Sequence, residues 1–178
     1  MTVTLVVGPA APEEFDRLGE IGVRAYLTAA HTRASMSVEY AAVLRDVAGR
    51  NSGQDVVLAA RAGQDVLGSV TLAPAGSPWA DLAHEGETEI RMLSVDPAAQ
   101  GRGAGEALLR AAETWAREEG YRALVLSVVG SQGRQRPHRL YERLGYRRAT
   151  DRDYVGSWEP RPAMWCYVKD VTTTDRGA

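Results

Sequence analysis

Several residue types are scarce in this sequence of 178 residues, and each scarcity excludes a class of protein. Cys166 is the only cysteine, so neither an intrachain disulfide nor a cysteine-ligated metal cluster can form. The formal net charge is −2, whereas a nucleic-acid-binding domain normally carries a strongly basic surface. No apolar run approaches the roughly 18 residues of a membrane-spanning helix, and the N-terminus lacks the basic segment of a secretory signal. We therefore expect a cytoplasmic protein with no nucleic-acid or membrane partner.

What remains is the composition of an ordinary globular protein, with 44% hydrophobic and 25% charged residues. This length suits a single domain over residues 1–178. We expect its folded core to span about residues 2–171, and residues 172–178 to form a frayed tail.

Apolar residues at helical spacing and short apolar runs bounded by turn residues predict the order β-α-α-β-β-β-α-β-α-β-β. The predicted strands are residues 2–7, 56–61, 66–72, 87–95, 123–129, 147–149 and 164–168, and the predicted helices are residues 12–30, 37–50, 103–119 and 138–144. Gly8 and Pro9 are expected to end the first strand, Ser37 to cap the second helix, and residues 151–162 to be irregular. This order favours an α/β domain with a mixed sheet and helices on both faces.

A glycine-rich turn connects a predicted strand to the most regular predicted helix. It consists of Gln100, Gly101, Arg102, Gly103, Ala104 and Gly105. Glycines let the backbone approach a ligand closely, and the unpaired N–H groups and dipole of a helix start favour an anion. The pattern is neither a Walker loop, which needs Lys-Ser/Thr after its glycines, nor a G-x-G-x-x-G dinucleotide fingerprint. The turn therefore predicts a pyrophosphate site, and the alternative is a turn that only joins strand to helix.

Two motifs stand in separate parts of the chain. The first is Leu93-Ser94-Val95 followed by the glycine-rich turn at residues 100–105, and the second is LYERLGY at residues 140–146. In sequence and in order they resemble the motifs of the GNAT acetyltransferase superfamily. The resemblance implies a GNAT-like mixed, mostly antiparallel sheet flanked by helices on both faces.

The resemblance also implies acetyl-CoA as the acyl donor. The backbone of Leu93, Ser94 and Val95 would pair with the pantetheine arm, in a slot that a bulge opens between the fourth and fifth strands. The amides of residues 101–105 would hold the pyrophosphate. Many members carry an asparagine seven residues before the family tyrosine, where this chain has Arg134. One or two arginines of a basic run would meet the 3′-phosphate of CoA, unless the run is a solvated face. This run comprises Arg134, Arg136, Arg139, Arg143, Arg147 and Arg148.

Acetyl transfer to an amine needs a neutral amine, a stabilised oxyanion and a proton for the departing thiolate. The resemblance implies that Tyr141 donates this proton, because a phenol stays protonated at neutral pH; the alternative is a packed helix tyrosine. Glu89 matches the position of the base in many members, with an ion pair to Arg91 as the alternative. A backbone N–H near Leu93 would stabilise the oxyanion. His138, one helical turn before Tyr141, is a candidate CoA contact or proton shuttle, or else a surface histidine.

The acceptor side is the least defined. In this superfamily the first helix, the loop between the third and fourth strands and the C-terminal region usually form the acceptor pocket. The candidate contacts from these regions are Tyr26, Trp79, Trp158 and Trp165. With Asp81, Glu85 or Glu87 nearby they would hold a cationic amine, and the alternative is that the tryptophans are core or dimer-interface residues. No metal is expected, because His31 and His84 lack ligand spacing.

The leading hypothesis is therefore an N-acetyltransferase that moves an acetyl group from acetyl-CoA to a primary amine by direct attack through a tetrahedral intermediate. The acceptor would be a small molecule or a peptide amine. A second hypothesis is a non-catalytic acyl-CoA-binding or sensing module, and a third is an interaction domain with a vestigial pocket and no CoA affinity. A homodimer through the late strands rests on analogy with relatives alone.

Overall fold

The computed structural model describes residues 4–29, 36–130 and 136–172. Its helices are α1 (Phe15–Thr28), α2 (Val38–Arg45), α3 (Val47–Arg50), α4 (Ala104–Glu118) and α5 (Arg136–Arg143), and single 3₁₀ turns lie at Pro12–Glu14, Pro97–Ala99 and Thr150–Arg152. Its strands are β1 (Leu5–Pro9), β2 (Val56–Ala62), β3 (Asp65–Pro74), β4 (Glu87–Val95), β5 (Ala123–Val129), β6 (Arg147–Arg148), β7 (Tyr154–Val155) and β8 (Ala163–Asp170). The predictions for residues 2–3, for Arg134 and for the tail beyond residue 172 lie outside the described residues.

The strands of the described residues form one sheet in the order β1-β2-β3-β4-β5-β8-β6, and β7 also pairs with β8. Only β4 and β5 pair in parallel; the other pairs are antiparallel. On β2, Leu58 and Ala60 pack in the core cluster of α4. Val57 and Ala59 pack with Leu18 of α1, because successive side chains of a strand point to opposite faces. Helices therefore cover both faces, and the predicted fold class is confirmed.

The first strand continues through the predicted Gly8-Pro9 turn. β1 is an edge strand, and the N–H of Ala10 bonds to the Val57 carbonyl at 2.8 Å. The backbone nitrogen of Pro9 consequently points away from the sheet, where its missing N–H costs no ladder bond. A proline is thus compatible with the end of this strand.

The predicted helix over residues 37–50 is two helices. Ser37 caps α2 as predicted, since its hydroxyl accepts the N–H of Tyr40 at 3.1 Å. Asp46 then leaves the helical conformation (φ −77°, ψ 62°) and its carboxylate accepts the N–H of Gly49 at 2.9 Å. An aspartate that caps a new helix competes with continuation of the old one. Within residues 151–162, predicted to be irregular, β7 pairs with β8.

A bulge in β4 opens the sheet. Thr71 of β3 lies opposite Arg91, but Ser69 lies opposite Ser94, so β4 carries one extra residue there. Met92, inside the bulge, has φ +52°, which is uncommon for a residue other than glycine. β4 pairs with β5 only over residues 87–89 and 123–125. The bulge that the resemblance implies is present, and beyond it the two strands part.

Candidate active site

The N-terminus of α4 has the geometry of a cradle for an anion. Gly101 and Gly103 have φ values of +80° and +85°, a conformation that side-chain-bearing residues rarely adopt. The first N–H bonded within the helix is that of Ala107, to the Gly103 carbonyl at 2.9 Å. The N–H groups of residues 104–106 therefore lack intrahelical partners, and the helix dipole adds partial positive charge at the same place. This geometry fits a pyrophosphate.

A cavity of about 780 Å³ occupies the gap between β4 and β5. It is lined on the β4 side by Leu93, Ser94 and Val95, on the β5 side by residues 126–129, and near the cradle by Gln100. Its other walls come from α1, α2, α5, β7 and residues 158–159. Volume and lining are those of a small-molecule site. The predicted donor-binding residues of β4 and Gln100 therefore meet in one cavity.

Tyr141 of α5 lines this cavity and is only 7% exposed. Its ring packs against those of Tyr146 and Tyr167, with centroid distances of 6.0 Å and 5.8 Å. Burial raises the pKa of the Tyr141 hydroxyl well above its ordinary value. The hydroxyl therefore stays protonated through neutral pH and is available as a donor inside the cavity.

Glu89 lies one layer behind the cavity surface. Its Oε2 accepts the backbone N–H groups of Asp81 and Leu82, both at 2.7 Å, and its Oε1 lies 3.5 Å from Nη1 of Arg91. Burial raises the pKa of the Glu89 carboxyl, although Arg91 and the two amides act against this shift. Arg91 itself lines the cavity. The ion pair considered as the alternative is thus present, and a base at Glu89 would act through an intervening water.

The structure does not bring His138 or Trp165 to the cavity, in contrast to the prediction. The Nδ1 and Nε2 atoms of His138 lie 2.9 Å from the Tyr167 hydroxyl and 3.2 Å from the Val129 carbonyl. Trp165 packs edge-on against the His138 ring at 5.2 Å. Alternation along β8 explains this placement, because Met164 lines the cavity and its neighbour Trp165 points to the opposite face.

The other aromatic candidates are divided between the cavity and the core. Tyr26 and Trp158 line the cavity, as predicted. Tyr26 packs against Tyr40 with a centroid distance of 5.6 Å. Trp79 is half-buried and packs against a core cluster of α1, α2 and β4, and its Nε1 donates to the Gly49 carbonyl at 3.2 Å. Trp79 does not line the cavity, and its packing agrees with the alternative interpretation of the tryptophans as core residues.

Several cavity residues are missing from the sequence-based prediction, and Ser127 and Tyr154 form a pair among them. The hydroxyls of Ser127 and Tyr154 lie 3.0 Å apart, and both residues line the cavity. Ser127 belongs to an apolar run that predicts a fully covered strand, and Tyr154 lies on a strand of two residues. A strand that short carries no periodicity, so no local signal indicates either residue.

Most described arginines of the basic run are paired within the protein. Arg143 lies 2.8 Å from Glu106, Arg147 lies 3.2 Å from Asp170, and Arg148 is paired with Asp153. The interpretation as a solvated face therefore suits Arg143 and Arg147, whose side chains are exposed, whereas Arg148 is half-buried over the Trp165 ring. A phosphate contact stays a prediction for exposed Arg139, while Arg134 and the side chain of Arg136 lie outside the described part of the chain.

Within residues 4–29, 36–130 and 136–172, no group of three or more His, Cys, Asp or Glu residues is placed to hold a metal ion. No helix in the same part of the chain combines the length and apolar character needed to cross a membrane.

The family model of the acetyltransferase (GNAT) family matches residues 21–146. No curated protein sequence matches the chain. A GNAT-family protein from Desulfovibrio desulfuricans superimposes with a TM-score of 0.74 at 18% identity, over 95% of this chain and 100% of that one. The ribosomal-protein-S18-alanine N-acetyltransferase from Escherichia coli gives 0.70 at 18% identity, over 98% and 99%. The protein yncA from Salmonella typhimurium, solved with its cofactor acetyl-CoA, gives 0.71 at 19% identity, over 98% and 96%.

The fold of this chain is that of these solved acetyltransferases. The family match covers more than half of the chain and makes the assignment specific. The chain belongs to the GNAT family of acetyltransferases, and it is an enzyme of that class.

Proposed function

We propose that this protein is an N-acetyltransferase that transfers an acetyl group from acetyl-CoA to a primary amine. One observation supports this most directly: Gln100 of the cradle, residues 93–95 of β4 and Tyr141 of α5 line a single cavity. A donor whose pyrophosphate lies in the cradle can therefore extend along β4 toward the Tyr141 hydroxyl.

The residues present fit this donor. From residue 90 onward β4 has no β5 partner within the described residues, so backbone groups of Leu93, Ser94 and Val95 are free to pair with an extended arm. The amides from Gly101 to Gly105 suit the pyrophosphate, with Arg102 and Ala104 contributing through their backbone. Acetyl-CoA would supply an activated thioester at the end of that arm.

Residues in and behind the cavity wall supply the proton transfers and the oxyanion stabilisation that acetyl transfer needs. The amine nitrogen forms a bond to the acetyl carbon through a tetrahedral intermediate, and the carbon–sulfur bond then breaks. Tyr141 donates a proton to the departing sulfur. The amine loses its proton to Glu89 through an intervening water, and a backbone N–H near Leu93 stabilises the oxyanion.

Calorimetry with acetyl-CoA and a thiol-release assay test the proposal. The amine panel includes alkylamines, amino acids, aminoglycosides and peptides with a free N-terminus. Binding together with amine-dependent release of CoA is the expected result. Binding without release for any amine would favour the sensing module, and no heat at millimolar acetyl-CoA would contradict the cradle.

Two matched glycine variants sharpen the binding test. Gly101 and Gly120 lie beyond opposite ends of α4, with φ values of +80° and +83°, and a Cβ on either would meet no atom within 4 Å. Alanine therefore imposes a similar backbone strain of about 1 kcal/mol at both positions. Only Gly101→Ala is expected to weaken acetyl-CoA binding, because only Gly101 belongs to the cradle. If Gly120→Ala weakens binding equally, the effect comes from lost stability.

A further inference from the structure

The charges around the acceptor half of the cavity bear on which amines the enzyme accepts, an inference that rests on the proposed function. The acceptor half is defined here as the walls from α1, α2, β7 and residues 158–159, together with Asp81 and Arg91. The cradle and residues 93–95 lie at the donor half. An acceptor entering the acceptor half therefore meets the charged and aromatic side chains of these walls.

The single cation among the described residues that line the cavity is already balanced. Nη1 of Arg91 lies 2.5 Å from the Asp81 carboxylate and donates to the Trp79 carbonyl at 2.8 Å. Glu89, 3.5 Å away, is a second carboxyl partner. A carboxylate on an acceptor would thus approach a guanidinium whose charge Asp81 alone neutralises.

Two further carboxylates line the same half, those of Glu39 and Glu159. Hydrogen bonds from its own backbone N–H and from the Ser37 hydroxyl lower the pKa of Glu39, so it is ionised at neutral pH. Both residues are exposed and line the cavity. The described part of the acceptor half therefore carries net negative charge, which attracts an ammonium group and repels a carboxylate.

The remaining walls are aromatic and apolar. Tyr26 and Tyr40 pack together, Trp158 is 37% exposed, and Met36 and Val43 complete the surface. Aromatic faces bind a cationic amine and also the apolar body behind it. A strongly hydrated, polar acceptor would lose its water against these walls with little compensation.

We propose that the acceptor is a primary amine with an apolar or aromatic body and no carboxylate, and that Glu39 and Glu159 exclude amino acids by charge. Specificity of this kind comes from repulsion of the wrong ligand as well as from attraction of the right one. The free carboxylate of an amino acid is one bond from the carbon that bears the reacting amine. It would therefore have to enter the acceptor half together with that amine.

Three compounds with the same ring and a primary amine isolate the effect of charge. Phenethylamine has hydrogen at the carbon that bears the amine, phenylalaninamide has a neutral carboxamide there, and phenylalanine has a carboxylate. We expect kcat/KM for phenylalanine to be at least about tenfold below that of both others. The three are compared over a pH series, so that their different amine basicities do not mimic a charge effect.

The matched variants are the double substitution Glu39→Gln with Glu159→Gln, and the control Glu118→Gln. Glu118 is exposed on α4 and does not line the cavity, so its variant removes charge from the protein without changing the acceptor half. The double variant should bring kcat/KM for phenylalanine several-fold closer to that for phenethylamine and leave acetyl-CoA affinity unchanged. Glu118→Gln should not change the ratio of these two kcat/KM values.

The other outcomes overturn the acceptor class, the role of the two glutamates or the proposed function. If kcat/KM for phenylalanine equals that for phenethylamine, charge does not select the acceptor. If kcat/KM for phenylalaninamide is as low as that for phenylalanine, the enzyme discriminates by size. If the double variant leaves the ratio of kcat/KM for phenylalanine to kcat/KM for phenethylamine unchanged, Glu39 and Glu159 do not exclude amino acids. Turnover confined to amino acids or polycations in the wider panel would also overturn it, whereas no turnover of any amine would contradict the proposed function instead.

Discussion

Tyr141 and Glu89 are both buried, and burial favours the neutral form of each. For the phenol this preserves the proton that a departing thiolate needs. For the carboxyl it increases proton affinity, which suits a base, but it also makes ionisation more costly. Tyr141 reaches the cavity directly, whereas Glu89 is fastened by the amides of Asp81 and Leu82. The two residues therefore need different tests.

Tyr141→Phe should lower turnover roughly 100-fold, the smaller end of what a general acid contributes, with little change in acetyl-CoA affinity. The reason is that the substitution removes the donor and keeps the packed ring. Steady-state kinetics and calorimetry measure the two effects. Tyr146→Phe is the control, because Tyr146 is buried beside Tyr141 and does not line the cavity. Unchanged turnover in Tyr141→Phe would remove Tyr141 from the mechanism.

Glu89→Gln should reduce activity most at a pH where the amine is still protonated and Glu89 is ionised, because only there does the parent have the base that the amine needs. Below the raised pKa of Glu89 the activities of parent and variant should converge. The glutamine oxygen can still accept the two amide N–H groups, so the loop at residues 81–82 should stay in place. A pH–rate profile and thermal unfolding measure these effects. If the profile keeps its shape while stability falls, Glu89 is an anchor for the loop and the base lies elsewhere.

Among the elements, β4 carries the feature on which the site depends. Its extra residue at Met92 ends pairing with β5 and creates the gap that the cavity occupies. The side chain of Met92 also packs with Val23 and Leu44, which holds the bulge against α1 and α2. Packing on one side of the sheet therefore supports an opening in the sheet itself.

Met92→Ile should destabilise the protein more than Met92→Leu, by about 1 kcal/mol. Both replacements are of similar volume, but a β-branched side chain is poorly compatible with φ +52°. Chemical denaturation measures the difference, and acetyl-CoA affinity should fall in parallel for Met92→Ile. If the two variants are equally stable, the backbone at position 92 accommodates a β-branched side chain without a cost in the free energy of unfolding.

At the scale of the whole molecule, Glu87 connects segments that are distant in sequence. Its buried carboxylate accepts hydrogen bonds from Arg152 at 2.9 Å and 3.0 Å, from Arg122 at 3.2 Å and from the His84 N–H at 3.0 Å. These contacts hold the start of β4, the start of β5 and the turn before β7 together. Burial alone would raise the pKa of Glu87, but Arg152, the His84 amide and Arg122 lower it below its ordinary value of 4.5.

Glu87→Gln should cost about 2 kcal/mol of stability at neutral pH, as expected for lost hydrogen bonds between charged groups. Because the folded-state pKa is depressed, the contribution is present above the ordinary value of 4.5 and is lost as the pH falls through the folded-state value. Denaturation at several pH values should therefore show the variant and the parent converging at acidic pH. Glu85→Gln, at an exposed neighbouring position, is the control; a cost independent of pH would contradict the ionic origin.

The sequence predicts much of the fold because the relevant signals are local. The ends of β4 and β5 are those predicted, since apolar runs bounded by turn residues depend on neighbours along the chain. Asp46 divides a predicted helix because a capping side chain and a helical pattern compete within four residues, and local propensity does not decide between them.

By itself the sequence determined the family and indicated the residues proposed for the donor side, because the glycine-rich turn and the strand before it are contiguous in the chain. Tertiary structure decided which further side chains reach the cavity. His138, predicted to contact the donor, and Trp165, predicted to contact the acceptor, lie away from it. Trp79 packs against a core cluster, and Ser127 and Tyr154 enter the cavity from separate strands. The physical reason is that a cavity wall is assembled from the faces that several distant elements turn toward one gap, and this depends on pairing and register across the sheet.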